Sequence, residues 1–171
     1  MSSSSSITVD LAEQIISFVP TYTEIGDATE LWLRNGEKEV DPRSIRSCLR
    51  AFWRHYSFDW QSYRQEYGEK LNRKHLLPWS VDVWRTFAPA KLRIPRVPRD
   101  PAYGYFAVEE VQSITLAAPG AAATSLLRFQ DGRTLPVHLT MEELHRSLQA
   151  AAYAYHLYWG RRMELRPTWM R

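Results

Sequence analysis

The run Asp41-Pro42-Arg43-Ser44-Ile45-Arg46-Ser47-Cys48-Leu49-Arg50-Ala51-Phe52-Trp53-Arg54-His55-Tyr56 decides how the rest of the chain is read. Ile45, Cys48, Leu49, Phe52 and Tyr56 recur at three- and four-residue spacing and define the apolar stripe of a helix. Asp41 followed by Pro42 suits the start of that helix: a capping carboxylate, then a residue whose missing N–H costs nothing in a first turn. On the rest of its surface Arg43, Arg46, Arg50 and Arg54 predict a continuous arginine ridge. Cys48 sits on the apolar stripe and reads as a small core residue rather than a nucleophile.

Upstream, Ile15, Ile16, Phe18 and Val19, ending at Pro20, predict a first strand. Residues 30–34, Asn35-Gly36 and the short run to Val40 predict a tight hairpin, because Asn-Gly tolerates two positive φ angles. The serine run at 2–6 has too little apolar surface to order itself, so residues 1–10 are expected to form a disordered Ser-rich N-terminus.

Downstream, a second helical stretch is expected from Ser57, with Trp60, Tyr63, Tyr67 and Leu71 as its apolar positions. Residues 76–81 and 83–87 read as short strands. In residues 88–101, Pro89, Pro95, Pro98 and Pro101 alternate with Lys91, Arg93, Arg96 and Arg99. So many prolines oppose both helix and central strand, and predict an extended, exposed, cationic arm. Strands are expected at 103–108 and 113–116, then a small-residue loop at Pro119-Gly120. Residues 126–129 and 135–139 flank Asp131-Gly132 as a second hairpin, with Pro136 marking an edge or bulge. Thr140 and Glu143 make a capping box, after which Leu144, Leu148, Ala151, Ala152, Tyr155 and Trp159 keep the helical period up to Gly160. The expected architecture is α+β: a single domain over 11–160, with a mostly antiparallel β-sheet, a central helical segment and a C-terminal helix, then a basic C-terminal tail at 161–171.

Composition narrows the function. A 44% hydrophobic chain of 171 residues can bury one core, and its single cysteine excludes a disulfide framework. No apolar run approaches the ~20 residues that span a bilayer, and the start carries no secretory signature, so no membrane partner and a cytoplasmic location are expected. The net charge of +3 hides a strong asymmetry. Residues 1–40 hold 2 basic against 7 acidic groups, residues 41–99 hold 13 against 5, and residues 100–171 hold 7 of each. A basic middle third is the footprint of a polyanion binder. No phosphate-cradling glycine loop, histidine–cysteine ligand spacing or nucleophile elbow is present, so neither an enzyme nor a cofactor or metal is expected.

Several segments, in order, resemble the ComK-type competence transcription factors of Gram-positive bacteria. The first is Arg34-Asn35-Gly36 through Val40-Asp41-Pro42, then Ser44-Ile45-Arg46-Ser47-Cys48. The second is Leu77-Pro78-Trp79-Ser80-Val81-Asp82, followed by Phe87-Ala88-Pro89. The third is Tyr105-Phe106 leading to Val111, and the last is Phe129 and Gly132 with Leu135 and Val137 before the C-terminal helix. The resemblance spans residues 15–157. It departs at the family's Gly-Arg pair, which is missing although Arg64 lies nearby, at Leu76, where the family has a lysine that Lys74 precedes by two residues, and at Tyr103, which replaces a cysteine.

The resemblance implies a double-stranded DNA-binding activator of DNA-uptake genes that reads paired A/T-rich promoter boxes through the minor groove. It also implies a homodimer, pairing to a tetramer on DNA. A protease-adaptor protein would be a further partner, since Met163-Glu164-Leu165-Arg166-Pro167 sits where the family carries a degradation signal. On this reading the ridge of Arg43, Arg46, Arg50 and Arg54 lies along a phosphate strand. Arg93, Arg96 and Arg99 enter the narrow groove from the stiff arm, with Arg85 and Lys91 on the flanking backbone. Arg73 and Lys74 complete the set of DNA-contacting candidates. Two rivals remain: a single-stranded nucleic-acid binder stacking bases on Trp53, Trp60, Trp79 or Trp84, and a protein-interaction module.

Overall fold

Residues 7–164 are described by the structure, a computed structural model, and their strands form two antiparallel sheets. The larger has six strands in the order β3-β2-β1-β6-β5-β4: β1 (Ile15–Thr23), β2 (Gly26–Leu33), β3 (Lys38–Asp41), β4 (Trp79–Asp82), β5 (Arg85–Lys91) and β6 (Tyr103–Ala107). The smaller joins β7 (Val111–Leu116), β8 (Ser125–Phe129) and β9 (Thr134–Val137) in sequence order. Four α-helices complete the α+β domain: α1 (Val9–Gln14), α2 (Ile45–His55), α3 (Trp60–Lys70) and α4 (Met141–Glu164).

Strand alternation divides the large sheet into two faces. Phe18, Trp79, Phe87 and Tyr105 point to one face, where Phe52 of α2 meets Phe18 edge-on at 5.1 Å and Trp79 stacks on Phe87 at 4.4 Å. The other face carries small residues on β5, Thr86, Ala88 and Ala90, and these let α4 come close. Ser147 on α4 donates to the Pro89 carbonyl at 2.6 Å, and Trp159 donates to Ser80 Oγ at 2.9 Å. The small sheet shares this face through Phe129, packed on Trp32 of β2 at 5.6 Å. Gly104 marks the tightest crossing: a Cβ there would lie 2.2 Å from the Phe18 carbonyl oxygen.

Several boundaries depart from the pattern in the sequence. Asp41 does not cap a helix; it closes β3 opposite Thr29, buried, and its carboxylate turns back onto Arg43 N and Nε at 2.9 Å. The helix therefore begins three residues past Pro42, with Ser44 at its N-cap. β1 runs straight through Pro20, which is possible because β1 pairs with β6 only at Ser17 and Phe18. Pro89 likewise sits inside a central strand, correcting the expectation that the arm starts at 88. β4 has ended at this point, so no ladder hydrogen bond is lost, and Ser147 takes the Pro89 carbonyl instead. Val9 and Asp10, placed in a disordered segment by composition, open α1, where Thr8 Oγ1 accepts from Leu11 N and Ala12 is fully buried. α4 passes Gly160 and continues to Glu164, with Arg161 pairing to Glu66 of α3. The capping box of α4 forms as expected, with bonds of 2.8 and 3.2 Å between Thr140 and Glu143. No helix among the described residues is long and apolar enough to cross a membrane.

Candidate nucleic-acid interface

The α2 face of the sheet carries a groove of about 1230 Å³. One wall is α2, contributing Arg46, Arg50 and Arg54 above Leu49 and Trp53. The second is the first turn of α3, with Trp60, Gln61 and Arg64. The third is the returning arm, from Pro98 to Tyr103. Four-residue steps along α2 place its three guanidinium stems on one side of the helix, over about 12 Å of axis.

The arm owes its shape to a few contacts. Its base is closed by Leu92 N and Arg93 N, which both donate to the Ala102 carbonyl at 2.9 and 3.2 Å. Its tip is a turn, with Asp100 N on the Val97 carbonyl at 3.0 Å, and Pro98 presets the backbone angle that the second turn position needs. Tyr22, near the end of β1, holds tip to sheet. Its hydroxyl donates to Asp100 at 2.7 Å and accepts from Arg96 N at 2.8 Å, while the Arg93 and Arg96 guanidiniums lie 4.1 and 4.5 Å from its ring centre. Arg99 is thereby carried into the groove from the side opposite α2.

Arg46, Arg50, Arg54 and Arg99 are exposed, and their side chains have no partner among the described residues. Arg64 spends one donor on the Lys74 carbonyl at 3.3 Å. Two acidic groups face these five arginines. Asp59 is occupied capping α3, and bonds from the Ser62 hydroxyl and N–H hold its carboxyl below the usual range; Asp100 is held by Tyr22. The groove keeps a cationic surplus whose hydrogen-bonding capacity is unspent.

Three of the expected contact residues are bound internally, and their assignment is corrected. Arg43 lies before the helix, not on its ridge, and is paired to Asp41. Burial pushes Asp41 up, but the bonds from Arg43 outweigh this and hold its carboxyl below the usual value. Arg85 is 3% exposed: it binds Asp82, the Ala12 carbonyl at 2.7 Å, the Ile15 carbonyl at 3.1 Å and the Tyr56 hydroxyl. Arg93 is buried at the root of the arm, pairing with Asp27 and donating to the Thr21 and Pro101 carbonyls at 2.8 and 2.7 Å. Arg96 is exposed but lies over Tyr22 rather than lining the groove. Arg73 is half-buried on the Leu76 carbonyl, Lys74 is exposed after α3, and Lys91 is half-buried at the end of β5; none of the three lines the groove. Burial pushes the Cys48 thiol up to about 12, as suits a core residue.

The tryptophans separate as well. Trp79 is fully buried, and Trp53 is 7% exposed with Trp60 stacked on it at 4.4 Å. Trp84 is exposed, but stands outside the groove. Gln61, Arg64 and Tyr103 were missed as groove residues by the sequence, which offered Trp60 only as a base-stacking candidate, although Trp60 and Arg64 stand one helical turn apart on α3. Residues 165–171, and with them most of the expected degradation signal, lie outside the described residues. Comparison of the chain with protein-family models, with curated proteins and with solved structures returned no match.

Proposed function

We propose that this chain is a cytoplasmic, double-stranded DNA-binding transcription factor, a reading that extends its resemblance to the ComK-type activators. The groove takes one phosphate strand along Arg46, Arg50, Arg54 and Arg64, and the arm tip enters the adjacent minor groove with Arg96 and Arg99. The observation that carries the reading is the sorting of the arginines. Those outside the groove mostly neutralise carboxylates or cap carbonyls, whereas the side chains of Arg46, Arg50, Arg54 and Arg99 meet no partner among the described residues and face one channel.

Unpaired guanidiniums at rigid positions need no internal ion pair broken before they meet a phosphate, and they shed water readily. The arm is fixed by proline and by Tyr22, so little entropy is lost when it enters a narrow, electronegative groove. Base stacking is less well served, because Trp53 and Trp79 have no free faces. The test is fluorescence anisotropy on duplexes that differ only in A/T-box content, competed with poly-pyrimidine single strands. A/T-rich duplexes are expected to bind tightest. Tighter binding to the single strands, or equal binding to every duplex, would overturn the reading.

A further inference from the structure

β7 is an outer strand that nothing in its own sequence protects. One side pairs with β8, and no strand lies on the other. Each remaining outer strand carries a charge or a proline, devices that keep a sheet edge from recruiting foreign chains: Lys38 and Glu39 on β3, Asp82 on β4 and Pro136 on β9. Val111-Gln112-Ser113-Ile114-Thr115-Leu116 carries neither. Ala117 N donates to the Thr124 carbonyl at 3.0 Å, so the alternation of an antiparallel ladder turns the Ile114 and Leu116 amides away from β8, toward the open side.

The side chains along this edge are unfinished in two ways. Leu116 stands on the core face of the small sheet, opposite fully buried Ser125, yet is itself 69% exposed. Ile114, opposite fully buried Leu127, is covered by the core only in part. The apolar layer runs out under β7, one strand short. On the other face Arg128 lies opposite Ser113, exposed and with no partner among the described residues. A strand added beside β7 would pass about 9.5 Å from β8, and the small Ser113 side chain leaves room for Arg128 to reach across it to a carboxylate there.

We propose that β7 takes an extended segment of another protein as an added antiparallel strand, with the pattern apolar-x-apolar-acidic laid along Leu116 to Ser113. Main-chain bonds to the Ile114 and Leu116 amides supply affinity, and alternate side chains supply specificity. The two apolar residues, opposite Leu116 and Ile114, continue the core layer; the acidic one, opposite Ser113, pairs with Arg128. Charge selects the occupant. A second copy of the chain would bring its own β7, which has no carboxylate, and residues 1–6 and 165–171 contain no acidic residue. None of the β7 residues lines the cationic groove, so the proposal does not rest on the nucleic-acid reading.

The test pans a phage-displayed library of random decapeptides against the immobilised full chain, then measures the enriched peptides by fluorescence anisotropy. They should share the apolar-x-apolar-acidic pattern. Leu116→Pro removes an outward amide while sparing the bonds to β8, and should weaken their binding at least about tenfold. Arg128→Glu changes an exposed side chain without touching the core. It should weaken binding about threefold, and restore it for peptides whose acidic residue is replaced by lysine. Arg128→Glu carries the test alone if thermal melts show that Leu116→Pro does not fold. Replacing Arg46, Arg50 and Arg54 by alanine should leave binding unchanged, which separates this edge from attraction of acidic peptides to the groove. No enrichment, binding lost with the groove arginines, or binding indifferent to Arg128→Glu or to a folded Leu116→Pro overturns the proposal. So does a parent dimer in sedimentation velocity that Leu116→Pro abolishes, since a second copy would then fill the edge.

Discussion

Replacing Arg46, Arg50 and Arg54 together by alanine removes three of the five guanidiniums that face the groove. All three are exposed on α2 and have no partner among the described residues, so the fold should lose little. If each of the five neutralises one phosphate, the slope of log affinity against log salt is about −4.5, and the triple variant retains about −1.8. Between 50 and 200 mM salt the parent chain should then lose about 500-fold in affinity and the variant about 12-fold. The assay is anisotropy on one A/T-rich duplex over that salt range. The matched control removes Arg34, Arg128 and Arg146, which stand on β2–β3, β8 and α4, outside the groove. It lowers net charge by the same amount and should leave the slope near −4.5. Equal slopes for the two variants would mean that the groove has no special part in binding, and the reasoning from unpaired arginines would fail.

Other outcomes follow from the same contacts. Arg85→Ala empties a buried site, strips half-buried Asp82 of its partner and takes a donor from the Ala12 and Ile15 carbonyls, so urea unfolding should show a loss of about 3 kcal/mol with the salt slope of binding unchanged. Gly104→Ala forces a Cβ to within 2.2 Å of the Phe18 carbonyl oxygen, and should cost about 3 kcal/mol or prevent folding, read by the same assay. Asp41 has a depressed carboxyl, so its contribution is present above the ordinary carboxylate value and is lost as pH falls below about 4; Asp41→Asn should flatten the acid limb of a stability–pH curve measured by chemical denaturation. Tyr22→Phe frees Arg96 N and Asp100 together, and should relax discrimination between A/T-rich and G/C-rich duplexes while leaving the slope contributed by α2 in place.

Local patterns carried the fold where the deciding contacts are close in sequence. The Asn35-Gly36 turn, the stripe from Ile45 to Tyr56, the Asp131-Gly132 hairpin and the Thr140–Glu143 box all depend on neighbours within a few residues. Proline was misleading wherever a neighbouring strand had already ended. Pro20 and Pro89 look like strand breakers until the sheet order shows that no donor is needed at either place. For the site, periodicity identified Arg46, Arg50 and Arg54, because a helix surface is a local property. It could not separate Arg93 from Arg99, which are six residues apart in one arm. The difference lies in Asp27 and Thr21, more than sixty residues away, which hold Arg93 alone. Arg85 was misjudged for the same reason: its carbonyl partners belong to Ala12 and Ile15.

Those last two bonds make the beginning of the chain answerable for a hairpin two strands away across the sheet. Arg85 can settle only once the peptide groups of residues 12 and 15 are in position, and only then does Asp82 have a fixed counter-charge with which to shape the turn. A deletion or fusion that disturbs the short opening helix should therefore be felt first as loosening at the β4 edge of the large sheet, around Val83 and Trp84. Hydrogen exchange at the amides of Trp84 and Arg85 would report that loosening before any loss of helix was visible.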